Sequence, residues 1–249
     1  MLPWLLAALT LGAVLLMTPI LGGHLHAVFA ERPQPGWDRW LVPLEQGLLR
    51  WIDGRGAAAA AEVSAPGRSA GHAWAYLGPL LIANLVAGAV AWLLLACQPS
   101  WLNPGGFPGL RWDLALHTTL SFLTNTDQQH LVPEASLGTL AQLGAIQFLM
   151  FVSAASGLAV GFAVIRGFSG LPLGHPHRDL VRALTRVLIP GSLLLALVLL
   201  LAGVPMTLAP PLPVATLEGT DQLLPRGPIA LFEAIKLLGE NGGGFLSAN

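Results

Sequence analysis

The chain has little charge for its length, and this lack argues against a soluble fold. Asp, Glu, Lys and Arg together make up 10% of the 249 residues, whereas hydrophobic residues make up 54%. A typical soluble domain carries about 25% charged residues, so this chain has too few to cover a surface that faces water. The mean hydropathy of +0.66 indicates a lipid bilayer as the solvent for most of it.

Cysteine, basic patches and catalytic motifs are also scarce. The one cysteine, Cys97, excludes an internal disulfide, has no metal-type spacing around it and is expected to be a small packing residue. The net charge of −1 argues against nucleic acid as a partner. No phosphate-binding G-x-x-x-x-G-K-[ST] motif and no Ser/His/Asp set is visible, so we expect no catalytic activity of the chain's own.

Long apolar runs are what the chain has instead. For the first run a cleaved signal peptide is the alternative, but no Lys or Arg precedes Arg32, so we favour a retained helix. A Pro190–Gly191 pair predicts a kink in the last run. Each run is close to the ~20 residues needed to cross a bilayer, and the predicted spans are residues 1–21, 76–97, 137–165 and 184–203.

The distribution of arginine predicts how these spans are oriented. Arginine is concentrated in the connection 22–75 and in and around the connection 166–183, so both should face the cytoplasm. The N-terminus, the segment between the second and third spans, and the tail should face outward. Within the first connection, residues 36–54 alternate Trp and Leu with charges and predict an amphipathic helix, which either lies on the membrane surface or packs on protein.

Both outward segments contain the same succession of elements, which indicates an internal repeat. A Pro/Gly-rich loop is followed by a short, half-polar helix that cannot cross the membrane, and then by a polar stretch. Such a unit is a re-entrant pore loop, so we predict an all-α membrane protein with four transmembrane helices and two re-entrant pore helices. The complete first unit is 76–165, with its pore helix at 110–123 and its filter loop at 124–129; the second is 184–249, with 228–238 and 239–244.

A polar loop at membrane depth is tolerated only where it is buried in protein or lines a watery cavity. Its backbone carbonyls can then replace the hydration shell of a cation. The run Gly242–Gly244 permits the backbone conformations that this requires, and Thr and Asn add neutral oxygens, whereas a divalent site would need more carboxylates. Taken alone, the glycine run also fits a surface turn, and residues 124–129 also fit a helix-capping loop.

Three blocks carry a resemblance to a known family. The stretches 110–129, 153–168 and 217–249 resemble KdpA, the potassium-binding, channel-like subunit of bacterial Kdp potassium-transporting ATPases. The likeness extends over essentially the whole chain and is poorest in 22–75. It implies ATP-driven potassium uptake at the bacterial inner membrane, with hydrolysis on a KdpB-like partner and with KdpC-like and KdpF-like small subunits.

The resemblance also implies which residues form the potassium filter. At Asp127 and Glu240 the family usually has Asn and Thr, and a carboxylate there either concentrates cations or disturbs selectivity. The T-N-T-N-x-Q motif falls on Thr124, Asn125, Thr126, Asp127 and Gln129, and the G-T-N-G-G-G motif falls on Gly239, Glu240, Asn241, Gly242, Gly243 and Gly244.

The length departs from the family's pattern, because its members continue for two further units. We therefore expect an N-terminal half, and the alternative to transport is a truncated membrane fragment with a structural or regulatory role.

Small and polar residues inside the membrane segments have other interpretations. Ser153, Gly157 and Gly161 lie four residues apart, a spacing typical of close helix packing. Intramembrane Asn84 is expected to make an interhelical hydrogen bond. His117 and His130 have no ligand partner at metal spacing in the sequence, so we interpret them as structural or as lining the outer mouth.

Overall fold

The structure is a computed structural model that describes residues 2–30, 32, 34–53, 71–101, 103, 106–126, 128–209 and 211–247. Asp127 therefore lies outside the described residues. Four helices in the described part are long and apolar enough to cross a membrane, and strand is limited to one short hairpin there. The prediction of an all-α membrane protein with four spans is confirmed.

The spans are α1, α3, α6 and α7, and the elements have the following bounds in chain order: α1 Leu2–Phe29, α2 Pro35–Asp53, α3 Gly71–Cys97, α4 Trp112–Leu123, α5 Pro133–Ser136, α6 Thr139–Phe168, α7 Pro176–Leu201, β1 Leu212–Ala215, β2 Asp221–Leu224 and α8 Ile229–Leu238. The two strands pair antiparallel, with Leu212 opposite Leu224. This hairpin was not predicted.

Helices α6 and α7 each contain one π-helical turn near their first residues, Gln142–Gln147 and Ala183–Leu188. In α7 this turn ends just before Pro190. Proline has no N–H, so it cannot donate to the carbonyl four residues earlier. That carbonyl, on Arg186, instead accepts a hydrogen bond of 2.9 Å from Nε2 of His24. The freed backbone group thus binds α1 to α7.

A buried ion pair holds four helices together where α6 ends and α7 begins. Asp179 is 2% exposed, and its carboxylate accepts bonds of 2.6 Å and 3.1 Å from the guanidinium of Arg166. The Tyr76 hydroxyl on α3 lies 2.8 Å from Asp179 Oδ2. Arg166 also donates to the Phe29 carbonyl of α1 at 2.6 Å. We call Arg166, Asp179 and Tyr76 the charged cluster.

A second ion-paired contact joins α2 to α7. Arg186 donates two bonds, of 2.6 Å and 2.8 Å, to the Glu45 carboxylate and one of 2.7 Å to Asp38. The backbone N–H of Gln34 and the Arg186 guanidinium both donate to Asp38 and lower the pKa of its carboxyl. Helix α2 therefore packs on protein through its acidic face. Its other broad face leaves large apolar side chains exposed, namely Trp37, Trp40, Leu44, Leu48 and Trp51.

The small and polar residues predicted to make contacts between spans differ in whether they make them. Asn84 donates a 2.9 Å bond to the Ser156 hydroxyl, which is the interhelical bond expected between α3 and α6. A methyl group added to Gly157 or Gly161 would meet nothing within 4 Å, so the close helix contact expected there is absent from the described residues. Cys97, expected to pack, is exposed at the end of α3.

Candidate ion-binding site

The two short helices, α4 and α8, end with the same backbone motif. Asn125 follows α4 with φ 57°, and Glu240 follows α8 with φ 55°. One residue later, the Thr126 N–H donates to the Ser121 carbonyl and the Asn241 N–H to the Lys236 carbonyl, both at 2.9 Å. A left-handed residue followed by this six-residue bond is the Schellman ending of a helix. The same geometry therefore begins both loops, although their sequences differ.

Each short helix also ends against a glycine in the span that precedes it. A methyl group on Gly88 of α3 would lie 3.0 Å from Leu123 Cδ2, and one on Gly191 of α7 would lie 2.8 Å from Leu238 Cδ2. Leu123 and Leu238 are the last residues of α4 and α8. The two units thus have equivalent contacts between the end of the short helix and the interior of the span.

The structure brings the two polar loops into direct contact. The Asn125 side chain donates to the Gly239 carbonyl at 3.3 Å. The Gln129 amide makes two bonds with the second loop: its oxygen accepts from the Gly244 N–H at 2.9 Å, and its nitrogen donates to the Gly244 carbonyl at 3.3 Å. Residues that are about 115 positions apart in the chain therefore form one junction.

Ser153 of α6 lies at the centre of this junction. Its hydroxyl donates to Asn125 Oδ1 at 2.9 Å, and Asn241 Nδ2 lies 3.3 Å from the same hydroxyl. Asn241 Nδ2 also donates to Asn125 Oδ1. We call Asn125, Ser153 and Asn241 the neutral junction. Sequence reasoning assigned Ser153 to helix packing; its hydroxyl at the middle of an apolar span was the signal for a polar contact.

The other expected filter residues lie around the neutral junction. The hydroxyls of Thr124 and Thr126 are 3.0 Å apart, and both residues are exposed. Glu240 is exposed, whereas the following glycines are half-buried at 242 and buried at 243 and 244. Gly243 has φ 66°, which favours glycine at that position.

The chain leaving the second loop packs on its own unit and bonds to the first unit. Phe245 is buried against Phe232, with ring centroids 5.5 Å apart, and a methyl group on Gly227 would lie 2.2 Å from the Phe245 ring. Glu134 accepts bonds from Ser247, at 2.8 Å from its N–H and 2.5 Å from its hydroxyl. Burial alone would raise the pKa of Glu134, but the bonds from Ser247 and from the backbone N–H of Glu134 itself together outweigh it and lower the pKa. The second loop is therefore fixed at its start by the end of α8 and after its last residue by the contacts of Phe245 and Ser247.

The neutral junction joins the ends of two helices without a formal charge. The C-terminal, partially negative ends of α4 and α8 meet at the junction, because Gly239 directly follows α8 and the bonded Asn125 lies two residues after the end of α4. The hydrogen-bonding groups of the neutral junction are amides, a hydroxyl and backbone carbonyls. In the part of the chain that the structure describes, no three His, Cys, Asp or Glu residues are grouped as a metal site. Neutral oxygens of this kind replace the hydration shell of alkali ions in filters.

Together these features define a multi-pass membrane protein with two repeated units of span, short helix and polar loop. The family model described as "Potassium-transporting ATPase A subunit", KdpA, matches residues 8–249. The chain belongs to the KdpA family.

Curated relatives agree with this membership. The chain is 45% identical over 243 residues to the "Potassium-transporting ATPase potassium-binding subunit" of Anabaena sp. (strain L31), covering 97% of this chain and 41% of the relative. It is 42% identical over 235 residues to the protein of that name from Alicyclobacillus acidocaldarius, covering 92% and 39%. The chain thus spans about two fifths of the length of these relatives.

Proposed function

We propose that the chain is the potassium-binding and translocating part of an ATP-driven uptake complex. Potassium would be selected by carbonyl and side-chain oxygens of the two loops, 124–129 and 239–244, acting as a filter. Both loops would be re-entrant, with their filter ends reached from the outer side of the bacterial inner membrane. The family membership and the potassium-binding relatives support the ion, and the neutral junction supports the mode of selection.

The depth of the neutral junction is the observation that carries this proposal. Ser153 lies at the midpoint of α6, which runs from Thr139 to Phe168. At 1.5 Å per residue, either end of that helix is roughly 20 Å away. Loops bonded to the middle of a span lie near the middle of the bilayer that the span crosses. Polar backbone at that depth must line a watery path or be buried in protein.

Hydrolysis belongs to a partner in this proposal. The chain would have no catalytic activity of its own and would depend on a KdpB-like ATPase, with KdpC-like and KdpF-like subunits completing the complex. Lipid would surround the exposed apolar faces of the spans. The basic connections would face the cytoplasm, in agreement with the arginine distribution.

A second candidate function is a membrane fragment with a structural or regulatory role. The exposure of Thr124, Asn125 and Thr126 favours it, because one side of the candidate filter is not enclosed by the described residues. An enclosed cation path needs further surfaces around these groups.

A glycine pair provides the test. Gly243 in the second loop and Gly219 in the β-hairpin turn both have positive φ, 66° and 78°. The chain would replace the matching two fifths of the Anabaena sp. relative, and potassium-stimulated ATPase activity would be measured in the reconstituted complex. Gly243→Asp should raise the half-stimulating potassium concentration at least tenfold, because a bulky carboxylate replaces a buried glycine of positive φ in the loop, whereas Gly219→Asp should leave it unchanged.

Equal potassium dependence of the two variants would contradict the filter assignment. A chimera that assembles with the ATPase but shows no potassium stimulation would favour the structural role.

A further inference from the structure

Two imidazoles meet beside the first loop, although no sequence motif contains both histidines. The rings of His117 and His130 have centroids 4.5 Å apart and planes inclined by 65°. His117 lies on α4, about two helical turns before the loop begins, and His130 directly follows the loop. The contact therefore closes the segment 124–129 at its base.

The surroundings leave both rings available to a ligand. Both residues are exposed. Among the described residues neither imidazole has a hydrogen-bond or ion-pair partner, and their contact is with each other.

We propose that His117 and His130 form a two-histidine site for a divalent transition-metal ion such as Ni²⁺, Cu²⁺ or Zn²⁺. Imidazole nitrogen suits these ions, whereas potassium prefers oxygen. An ion about 2.1 Å from one nitrogen of each ring lies roughly 3.2 Å from each ring centre. Two such ligands at about 90°, as in square-planar or octahedral coordination, put the ring centres roughly 4.5 Å apart when one nitrogen of each ring faces the ion, and the observed centroid separation of 4.5 Å in an edge arrangement is compatible with that placement. Water completes the coordination.

The bound ion would link α4 to the chain that leaves the first loop. Such a link restrains the loop without adding charge inside the neutral junction, which involves different residues. Binding to the folded state alone also stabilises that state as the ion concentration rises above the dissociation constant. The site is independent of potassium transport, so either proposal can fail without the other.

The test measures Ni²⁺ bound to the whole chain in detergent by equilibrium dialysis. His117→Asn and His130→Asn should each lower the stoichiometry by one ion per chain, because one remaining imidazole should bind at least tenfold more weakly. His177→Asn is the matched control, because its ring is 6.1 Å from that of His175. This variant should leave the measured Ni²⁺ stoichiometry unchanged. Far-UV circular dichroism of each variant establishes that it is folded.

A second measurement needs no variant. Ni²⁺ should raise the unfolding temperature of the unaltered chain, whereas Mg²⁺, which prefers oxygen ligands, should leave it unchanged. Unchanged Ni²⁺ stoichiometry in both variants, loss of binding in only one of the two, or equal effects of Ni²⁺ and Mg²⁺ on unfolding would each overturn the proposal.

Discussion

The neutral junction and the charged cluster are two polar contacts in one apolar chain, and they use opposite chemistry. At the neutral junction, Asn125, Ser153 and Asn241 bring the loops together without a formal charge. At the charged cluster, Arg166 and Asp179 bring helix ends together with a nearly buried ion pair. The Arg166–Asp179 ion pair is thus placed where helices are joined, whereas the three side chains of the neutral junction carry no formal charge.

Electrostatics explains why the two contacts differ. A buried ion pair is specific in its geometry, and removal of one partner leaves an uncompensated charge. A fixed cation beside a potassium site would repel the ion, and a fixed anion would bind it too tightly for release. Neutral amides and hydroxyls avoid both effects, and their hydrogen bonds each contribute about 1 kcal/mol.

Asp179→Asn should be the most destabilising change. It leaves the Arg166 guanidinium, 14% exposed at its side chain, without its counter-charge, so we expect a loss of about 3–5 kcal/mol in the free energy of unfolding. Asp113→Asn is the control, because the Arg111–Asp113 pair is 79% and 40% exposed. That change should have the small effect typical of surface pairs. Unfolding in mixed micelles measures the stability of both variants. Equal losses in the free energy of unfolding would contradict the larger effect expected for the buried pair.

Ser153→Ala tests the neutral junction. It removes the hydroxyl that bonds Asn125 and lies beside Asn241, at an expected cost of about 1–3 kcal/mol, and it should weaken potassium dependence in the reconstituted complex. Ser156→Ala is the matched control: Ser156 is on the same helix as Ser153, and its side-chain bond is to Asn84 of α3 and not to either loop. It should cost similar stability and leave the potassium dependence as it was. Identical potassium curves for the two variants would argue against the junction as the ion site.

Glu240→Gly should stabilise the chain slightly. Glu240 has φ 55°, a conformation that costs most residues about 1–2 kcal/mol and glycine little. Part of this gain is offset by the greater freedom of glycine in the unfolded chain, so we expect about 0.5–1 kcal/mol. Glu233→Gly, in the interior of α8, should instead destabilise by about 1 kcal/mol. Thermal unfolding measures both changes. The prediction is contradicted if Glu240→Gly lowers the unfolding temperature or if Glu233→Gly raises it.

Acid should loosen the ion-paired contact of α2 while leaving the neutral junction unaffected. The pKa of Asp38 is lowered by its bonds from Gln34 and Arg186, so their stabilisation is complete above the ordinary value of about 3.9. It is lost as the pH falls through the lowered pKa. A spin label on Gln46→Cys, with Cys97→Ala, should become mobile in that range. Asp38→Asn should remove the Asp38 contribution to this transition, and an unchanged transition in that variant would contradict the assignment.

The spans could be predicted from the sequence because length and hydropathy alone determine whether a helix can cross a bilayer. The β-hairpin Leu212–Leu224 could not, because its strands are short and contain Pro213. The π-helical turns were also not predicted, since nothing in residues 142–147 distinguishes them from an ordinary helix. The π turn of α7 ends just before Pro190, and the kink expected at Pro190–Gly191 stays a prediction.

The candidate site was only partly predictable for a different reason. A motif identifies residues that are close in sequence, and on that basis the resemblance selected residues on both loops. It could not identify Ser153, which is 28 and 88 residues from its two partners, or the contact between His117 and His130. Both arise from tertiary packing between segments whose local patterns are ordinary.

Ser153 has one further consequence. Because the same hydroxyl contacts Asn125 and Asn241, a tilt or axial shift of α6 carries both loops along as one body. The distance between the Asn125 and Asn241 side chains would then change less than their position when α6 moves.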